Sequence, residues 1–243
     1  MTTPPKDRHY RKKQPELVDF VFDKAVTQVF PDMIRRSVPG YDALITLLGL
    51  FAEKYVQDHS SIYDLGCSTG ATSLAFAQRT YASDCALIAV DNSAAMIAQC
   101  KKNLADIGNL RVTVQCADIL EMPIENASLI ALNFTLQFIP PSERPTLLNK
   151  IYTGLRPDGV LILSEKLAWE GEPQQAFHDD FHQRFKSANG YSDLEIAQKR
   201  SALEHVLIPD TLGGHIERLR KVGFKQVTPW FQCFNFVSIA AMK

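Results

Sequence analysis

Hydrophobic residues along the chain form two kinds of pattern, and the alternation between these patterns predicts the architecture. Short continuous apolar runs, such as those ending at Leu65 and Val90, are typical of buried strands. The segments between such runs carry apolar residues three and four positions apart, which is typical of amphipathic helices. The predicted strands cover residues 61–65, 86–90, 111–116, 129–134 and 160–164, and the predicted helices include 41–56, 72–78, 93–104 and 141–155. Strands that alternate with helices in this way predict an α/β fold with a doubly wound, mostly parallel sheet.

The alternation breaks after the fifth predicted strand. Residues 166–209 are polar, aromatic and mostly helical in pattern, and they contain no strand signal. We therefore expect a helical insertion that acts as a lid, and not a second domain. A helix is predicted over 212–222. Apolar residues at 224–230 and 234–242 then predict two strands that pair as an antiparallel hairpin at the edge of the sheet.

The first 16 residues differ in composition from the rest of the chain. They contain five lysine and arginine side chains and no apolar stretch, so we do not expect them to form a secretory signal. We expect residues 1–16 to be a flexible, basic, solvated tail and residues 17–243 to form one domain. No apolar run approaches the ~20 residues that a membrane-spanning helix needs, so no membrane association is expected.

Composition narrows the possible functions. The chain has 243 residues, of which 46% are hydrophobic, and this is enough for a sizeable core. The net charge of −1 argues against a domain that grips a long nucleic acid, because such domains are usually basic. The five cysteines are odd in number and widely spaced, and no two form a Cys-x-x-Cys pair. This pattern predicts reduced thiols in a cytoplasmic protein, with neither disulfides nor a zinc site.

A glycine-containing turn at residues 66–70 is the strongest candidate for a ligand site. It joins a predicted strand to a predicted helix, and Gly66 and Gly70 bracket it. Glycine lets the backbone approach a ligand closely, and the N–H groups at the start of a helix favour acceptor or anionic groups. A dinucleotide fingerprint has its second glycine where this chain has Ser68, and the Cβ of serine disfavours a pyrophosphate there.

The end of the next strand supplies a second element of the site. Asp91 lies about 20 residues after the loop and is followed by Asn92, a position that suits the hydroxyls of a ribose. Loop and carboxylate together predict a nucleoside bound without a pyrophosphate. The commonest such ligand on this fold is S-adenosylmethionine. We expect one Rossmann-like domain that binds it.

Polar side chains end the neighbouring strands as well, at Asp64, Asp118, Asn133 and Glu165. Turn formation explains any one Asp or Asn at a strand end. It explains poorly why four consecutive strands all end in Asp or Asn behind a glycine loop. We therefore expect a ligand site beyond the carboxyl ends of the strands.

Two other interpretations of these motifs are weaker. Residues 66–70 also fit Gly-x-Ser-x-Gly, the nucleophile elbow of α/β-hydrolases, with Ser68 as the nucleophile. Hydrolases build several strands before that elbow, and the motif leaves Asp91 without a role. His178 and His182 are four residues apart and could bind a metal, but no Glu follows the first His and no cysteine lies nearby. We favour a solvated or subunit-facing helix there and expect no metal.

The insertion also contains Lys199 and Arg200. A solvated pair of charges is the simpler interpretation. The functional one is a guanidinium group that binds a carboxylate at the mouth of the site, since arginine matches a carboxylate through two parallel hydrogen bonds.

With these residues in view, the chain resembles the class I S-adenosylmethionine-dependent methyltransferases, with their seven-stranded sheet. More narrowly it resembles the carboxy-S-adenosyl-L-methionine synthase family of bacteria. The glycine loop alone supports only the wider group, whereas the insertion and the C-terminal stretch support the narrower one. The segments that carry the resemblance are 29–34, 36–41, 63–68, 91–93, 132–138, 164–166, 188–192, 198–201 and 230–236.

The resemblance implies which residues hold most of the nucleoside and methionine. Gly66, Cys67 and Ser68 would contact the methionine part of the ligand, and Asp91 and Asn92 would hold the ribose and adenine.

The remaining contacts implied by the resemblance surround the adenine and the sulfonium. Asp118 and Ile119 would contact the adenine ring, and Tyr41 and Asn133 would line the sulfonium and carboxylate region. Arg200 matches the arginine that reaches the carboxylate of the carboxymethyl sulfonium across a dimer interface, and it is the candidate catalytic residue.

The resemblance also implies the reaction, in which S-adenosylmethionine and prephenate give carboxy-S-adenosylmethionine and phenylpyruvate. The enzyme would be a homodimer, and its product would serve a tRNA carboxymethyltransferase that modifies the wobble uridine. The alternative is a methyltransferase acting on a small molecule, which would need no guanidinium beside the methyl group. A third class is a protein that binds the nucleoside, or acts as a dimeric scaffold, without catalysis.

Overall fold

The computed structural model describes residues 5–13 and 19–243, and its centre is a seven-stranded sheet. The strands are β1 (Ser61–Leu65), β2 (Ala86–Asp91), β3 (Arg111–Cys116), β4 (Ala127–Asn133), β5 (Leu155–Lys166), β6 (Gln226–Cys233) and β7 (Phe236–Met242). The α-helices are α1 (Lys24–Ser37), α2 (Tyr41–Tyr55), α3 (Ala71–Arg79), α4 (Ala94–Asn103), α5 (Arg144–Gly154), α6 (Glu172–Ala188), α7 (Asp193–Leu203) and α8 (Leu212–Val222). A short 3₁₀ helix covers Leu136–Phe138.

The strand order is β3-β2-β1-β4-β5-β7-β6. The strands β1 to β5 pair in parallel, whereas β7 pairs antiparallel with both β5 and β6. This confirms the predicted doubly wound sheet with a C-terminal antiparallel hairpin at one edge. The direction of strand order reverses between β1 and β4, and ligands of open α/β sheets bind in the crevice at such a point.

Apolar side chains cover both faces of the sheet. On one face, Leu147 and Leu148 of α5 and Leu219 of α8 are fully buried against the strands. On the other face, Leu48 of α2 and Phe76 of α3 are fully buried in the same way. A sheet buried on both faces explains why its strands appear in the sequence as continuous apolar runs rather than alternating ones.

The first helix contains a proline. α1 starts at Lys24, and Pro31 lies inside it. The side chain of Asp23 caps the helix by accepting a hydrogen bond from the backbone N–H of Val26, at 2.8 Å. An N-cap of this kind satisfies a free N–H at the helix end, and it sets the start of α1 before the proline.

The insertion is helical, with α6 and α7 between β5 and α8. Its described residues form no strand, and one isolated bridge joins Leu167 to Asp210. The capping box of α7 is complete, because Ser192 and Glu195 exchange hydrogen bonds between side chain and backbone.

The expected flexible tail differs most from the structure. Residues 5–13, here called the N-terminal arm, pack against the body of the protein, and Asp7 and Tyr10 are buried. The backbone N–H of Asp7 donates to Asp32 Oδ2 at 2.7 Å, and Tyr191 Oη donates to Asp7 Oδ2 at 2.5 Å. These hydrogen bonds of Asp7 hold the N-terminal arm in place. The composition of the segment does not reveal them. The rest of the predicted tail, residues 1–4 and 14–16, lies outside the described residues.

Candidate functional site

A cavity of about 800 Å³ lies beyond the carboxyl ends of the strands, between the sheet, α1, α6 and α7. Most of the predicted site residues line it: Gly66, Ser68, Asp91, Asn92, Asp118, Ile119, Asn133 and Arg200. Tyr41 and Cys67 line a small neighbouring pocket of about 30 Å³, which shares Gly66, Ser68 and Asn133 with the cavity. The structure therefore brings these ten residues to one region.

The glycine loop has a backbone that few other sequences could adopt. Gly66, Ser68 and Gly70 have φ angles of 81°, 51° and 88°, in the left-handed region. A Cβ on Gly66 would lie 2.2 Å from Thr135 Oγ1, so glycine is required there for space as well as for conformation. The N–H groups of Gly66 and Cys67 both donate to the carbonyl of Val90 at 2.8 Å, which ties the loop to the end of β2.

Asp91 connects this loop to the next helix. Its Oδ2 accepts a hydrogen bond from the N–H of Ser68 at 2.9 Å, and its Oδ1 accepts one from the N–H of Ser93 at 2.8 Å. Burial raises the pKa of Asp91, and these two hydrogen bonds oppose that rise. Each carboxylate oxygen can accept about two hydrogen bonds, so Asp91 retains acceptors for a ligand's hydroxyl groups.

Asn133 and Tyr41 meet near the start of α3. Asn133 Nδ2 donates to Thr72 Oγ1 at 3.0 Å, which leaves Asn133 Oδ1 buried without a partner. Tyr41 is buried, with its ring centroid 6.5 Å from that of Phe134, and burial raises the pKa of its hydroxyl. Since an unsatisfied buried acceptor is costly, Asn133 Oδ1 suits a ligand donor such as an ammonium group.

The predicted adenine contacts lie at the outer edge of the cavity. Asp118 is exposed and its Oδ1 accepts from the N–H of Leu120 at 2.8 Å, whereas the adjacent Ile119 is buried. Asn92 is exposed beside Asp91. An apolar side chain beside polar groups is suited to a flat heterocycle, because the face of such a ring is apolar and the edge of the ring carries donors and acceptors.

Two strand-end residues, Asp64 and Glu165, proved to have other surroundings than the sequence suggested. Asp64 is buried and accepts from Ser73 Oγ at 2.6 Å, and Glu165 is buried and accepts from the N–H of Leu136 at 2.9 Å. Burial raises their pKa values to about 6 and about 8, and neither lines the cavity. The thiol of Cys67 packs 3.8 Å from the sulfur of Cys100, so only its backbone faces the site.

Four cations from the end of β5 and from α6 and α7 also line the cavity, and they are here called the cation cluster: Lys166, Lys186, Lys199 and Arg200. Arg200 has a side chain that is 65% exposed, and its Nη2 lies 3.9 Å from Asp179 Oδ2. Lys199 is buried and donates to Ser37 Oγ at 3.0 Å. The sequence alone did not single out Lys166 or Lys186. Lys166 lies at the carboxyl end of β5, where ligands of open α/β sheets bind, so its position gave a signal that could have been used.

The two weaker interpretations find no geometric support. The hydroxyl of Ser68 donates to Met96 Sδ at 3.5 Å, and no histidine among residues 5–13 and 19–243 hydrogen-bonds to it. The ring of His178 stacks on Trp169 with centroids 4.0 Å apart, whereas a ring nitrogen of His182 lies 2.8 Å from the carbonyl oxygen of Ser37. Across the described part of the chain, no three His, Cys, Asp or Glu side chains are grouped as metal ligands. Nor does any described helix combine the length and apolarity needed to span a membrane.

Comparison with known proteins decides the family. A protein of Geobacter metallireducens named carboxy-S-adenosyl-L-methionine synthase is 58% identical over 240 residues, which is 98% of each chain. A protein of Trichlorobacter lovleyi with the same name is 54% identical over 239 residues, again 98% of each chain. The chain belongs to the carboxy-S-adenosyl-L-methionine synthase family. Within this family member, residues 62–159 match the family described as "Methyltransferase domain".

Solved structures confirm the class I methyltransferase fold of this synthase family member. A putative S-adenosyl-L-methionine-dependent methyltransferase of Methanococcus maripaludis has a TM-score of 0.59 and 21% identity, over 93% of this chain and 95% of that one. Human N-acetylserotonin methyltransferase, solved with S-adenosylmethionine, has a TM-score of 0.60 and 15% identity. This chain covers 55% of that human protein, which covers 90% of this chain.

Proposed function

We propose that this chain converts S-adenosylmethionine and prephenate to carboxy-S-adenosylmethionine and phenylpyruvate. The observation that carries this proposal is the division of one cavity into a nucleoside side at the glycine loop and a cationic side at the insertion. Relatives that are 58% and 54% identical over nearly their whole length carry the name of this activity.

The nucleoside side of the cavity fits S-adenosylmethionine. Asp91 and Asn92 would hold the ribose and adenine, and Asp118 and Ile119 would contact the adenine ring. The methionine part would lie along the loop from Gly66 through Cys67 to Ser68. These assignments rest on the free acceptors of Asp91 and on a loop backbone that can approach the ligand closely.

Near the sulfonium, Tyr41 and Asn133 would line the site. The unpartnered Oδ1 of Asn133 would accept from the ammonium group of the methionine part. S-adenosylmethionine supplies the activated methyl group, and the protein supplies orientation and a surface shielded from water.

The atoms of the proposed reaction balance without a base from the protein. Prephenate becomes phenylpyruvate with release of carbon dioxide and hydroxide. The hydroxide takes one proton from the activated methyl group to form water, and the methyl carbon forms a new bond to the carbon dioxide. Arg200 would stabilise the new carboxylate through its guanidinium group, which makes it the candidate catalytic residue.

We propose further that the protein is a cytoplasmic homodimer in which Arg200 reaches the site of the partner subunit. Although Arg200 also lines the cavity of its own chain, its side chain is 65% exposed and its Nη2 lies 3.9 Å from Asp179 Oδ2, which leaves the guanidinium group able to extend to a partner subunit. The product would be used by a tRNA carboxymethyltransferase. The net charge of −1 supports a division of labour in which this protein does not itself bind tRNA.

The alternative is a methyltransferase acting on a small molecule. It would use the same nucleoside contacts, so the glycine loop does not distinguish the two functions. The cation cluster favours the synthase, because transfer of a methyl group leaves no new carboxylate to stabilise. A protein that binds the nucleoside without catalysis would share the fold but would form no product.

Native mass spectrometry tests the activity and the assembly together. After incubation with S-adenosylmethionine and prephenate, we expect a dimer near twice 27.2 kDa that carries a ligand heavier than S-adenosylmethionine by one carbon dioxide. Arg200→Ala should abolish the heavier ligand, whereas Arg184→Ala, which removes another exposed arginine of the insertion, should not. Unmodified or demethylated ligand from the wild-type protein would contradict the proposal and favour the methyltransferase.

A further inference from the structure

We propose that Lys166 and Lys186 form an anion subsite that binds the carboxylates of the second substrate, and so determine specificity for a dicarboxylate. This inference rests on the proposed function, because it assumes a second substrate in the same cavity. It assigns a task to two residues that are distinct from the nucleoside contacts and from Arg200.

The two lysines are brought together by separate elements. Lys166 is the last residue of β5 and Lys186 lies near the end of α6, and both line the cavity. Each is half-buried, and within the described residues neither Nζ makes a hydrogen bond or an ion pair. An ammonium group at the wall of a cavity that makes no bond to the protein is open to an anionic ligand, with which it forms a charge-assisted hydrogen bond.

Neighbouring charges strengthen this argument. The pKa of Lys186 is lowered to about 7 by burial and by Lys199, Lys166 and Arg200, and the pKa of Lys166 is lowered by burial. Asp179 opposes both shifts, and it also lies within 3.9 Å of Arg200. The cations thus outnumber the carboxylates around them, and a bound anion would relieve their mutual repulsion.

Their neighbours are not equally available to a ligand. Lys199 already donates to Ser37 Oγ and lies over the ring of Tyr191, and His182, whose pKa burial lowers to about 3, is neutral. This leaves Lys166 and Lys186 as the free cations on the insertion side beside the more exposed Arg200. As compact point charges on long stems, two lysines can follow two carboxylates more easily than a rigid guanidinium can.

The cavity has the size and polarity for two ligands. Its volume of about 800 Å³ is near the upper end of the roughly 300–1,000 Å³ found for small-molecule sites. A sulfonium carries a positive charge, which the cation cluster repels and which the carboxylate of Asp91 on the other side attracts. The two ligands are therefore sorted by charge, with the dianion placed beside the insertion.

The decisive experiment compares Lys166→Met and Lys186→Met with the exposed control Lys221→Met. Methionine keeps most of the length of the stem and removes the charge. We expect the KM for prephenate to rise about tenfold or more in each of the first two variants, as for loss of a charge-assisted contact. The dissociation constant for S-adenosylmethionine should stay within about twofold in all three variants.

The pH profile gives a second readout that a structural role would not produce. In the wild-type protein, kcat/KM for prephenate should fall as pH rises above about 7, because Lys186 then loses its proton. The groups around it are Lys166, Lys199, Arg200, Asp179 and the neutral His182. Lys186→Met should lose this fall, whereas Lys221→Met should keep it.

Direct binding separates this inference from the proposed function. Prephenate is titrated into the protein saturated with S-adenosylhomocysteine, which lacks the methyl group and does not react. If the two lysine variants bind prephenate as tightly as the wild-type protein, the inference is wrong even though turnover is normal. If the wild-type protein makes no product but its prephenate binding is lost in both variants, the inference stands and the proposed function fails.

Discussion

Gly66 shows how closely single residues define the conformation of the glycine loop. Its φ of 81° lies in the left-handed region, and the Thr135 side chain fills the space where a Cβ would be. Thr135 in turn donates from Oγ1 to the carbonyl of Leu65 at 2.9 Å, so it is not free to move aside. The loop and the end of β1 are thus packed as one unit.

Gly66→Ala should therefore weaken ligand binding as well as the fold. We expect a loss of about 1–3 kcal/mol in the free energy of unfolding, from the strained backbone and the close contact. The dissociation constant for S-adenosylmethionine should rise about tenfold or more, because the loop must shift. Calorimetric titration and chemical denaturation measure the two effects.

The chain offers a matched control for this change. A Cβ at Gly108 would meet nothing within 4 Å, and the residue does not have a left-handed backbone, so Gly108→Ala should leave both quantities nearly unchanged. Equal effects of the two substitutions would show that the loop does not need glycine at position 66.

The site residues that could be predicted from the sequence are those whose signal is local. Gly66, Ser68 and Asp91 belong to one strand-loop-helix-strand unit, and the rule for strand ends places them in one crevice. Lys186 gives no such signal, because its place in the cavity depends on how α6 packs across the sheet. Asp64 obeys the strand-end rule and still faces the interior, where Ser73 binds it.

At the scale of elements, the N-terminal arm links parts of the protein that are far apart in sequence. Asp7 bonds to Tyr191, 184 residues away, and Arg36 Nη1 donates to the carbonyl of Asp7 at 3.1 Å. Gln198 Nε2 on α7 donates to the carbonyl of Tyr10 at 2.9 Å. No local pattern reveals pairs at such separations, which is why the basic composition predicted a flexible tail instead.

Tyr191→Phe should loosen the contact between the arm and α7. It removes the donor to the buried Asp7 carboxylate, at a cost of about 1.5–3 kcal/mol, while the ring stays under the guanidinium of Arg36, 3.8 Å away. We expect faster amide hydrogen exchange in the arm and in α7, with no change in β1 or β4.

The control for this experiment is Tyr81→Phe, since Tyr81 is 74% exposed. It should leave exchange unchanged everywhere. Since α7 carries Arg200, Tyr191→Phe should also lower the yield of carboxylated product under the proposed function. Unaltered protection of α7 in Tyr191→Phe would mean that the arm does not hold this helix.

At the scale of the whole molecule, the cavity lies between the sheet and the insertion. The proposed nucleoside contacts lie at the ends of β1, β2, β3 and β4, whereas the cation cluster comes from the end of β5 and from α6 and α7. The near-zero net charge of the chain hides this internal separation of charge. Ligands that occupy the cavity should therefore stabilise the entire fold, and not only the loop they contact.

Thermal unfolding tests whether a ligand in the cavity stabilises the entire fold, and it also tests the role of Ser68. At a concentration of about 100 times its dissociation constant, S-adenosylmethionine should stabilise the protein by about 2.7 kcal/mol. For a chain of this size, that corresponds to a rise in Tm of roughly 5–11 °C.

NAD⁺ at the same concentration should give no comparable rise, because Ser68 occupies the position where a pyrophosphate needs glycine. Asp91→Asn should reduce the response to S-adenosylmethionine, since it removes one of the two acceptors that hold the loop and α4. An equal rise with NAD⁺ would show that the loop accepts a pyrophosphate, and the prediction of a nucleoside without one would be wrong.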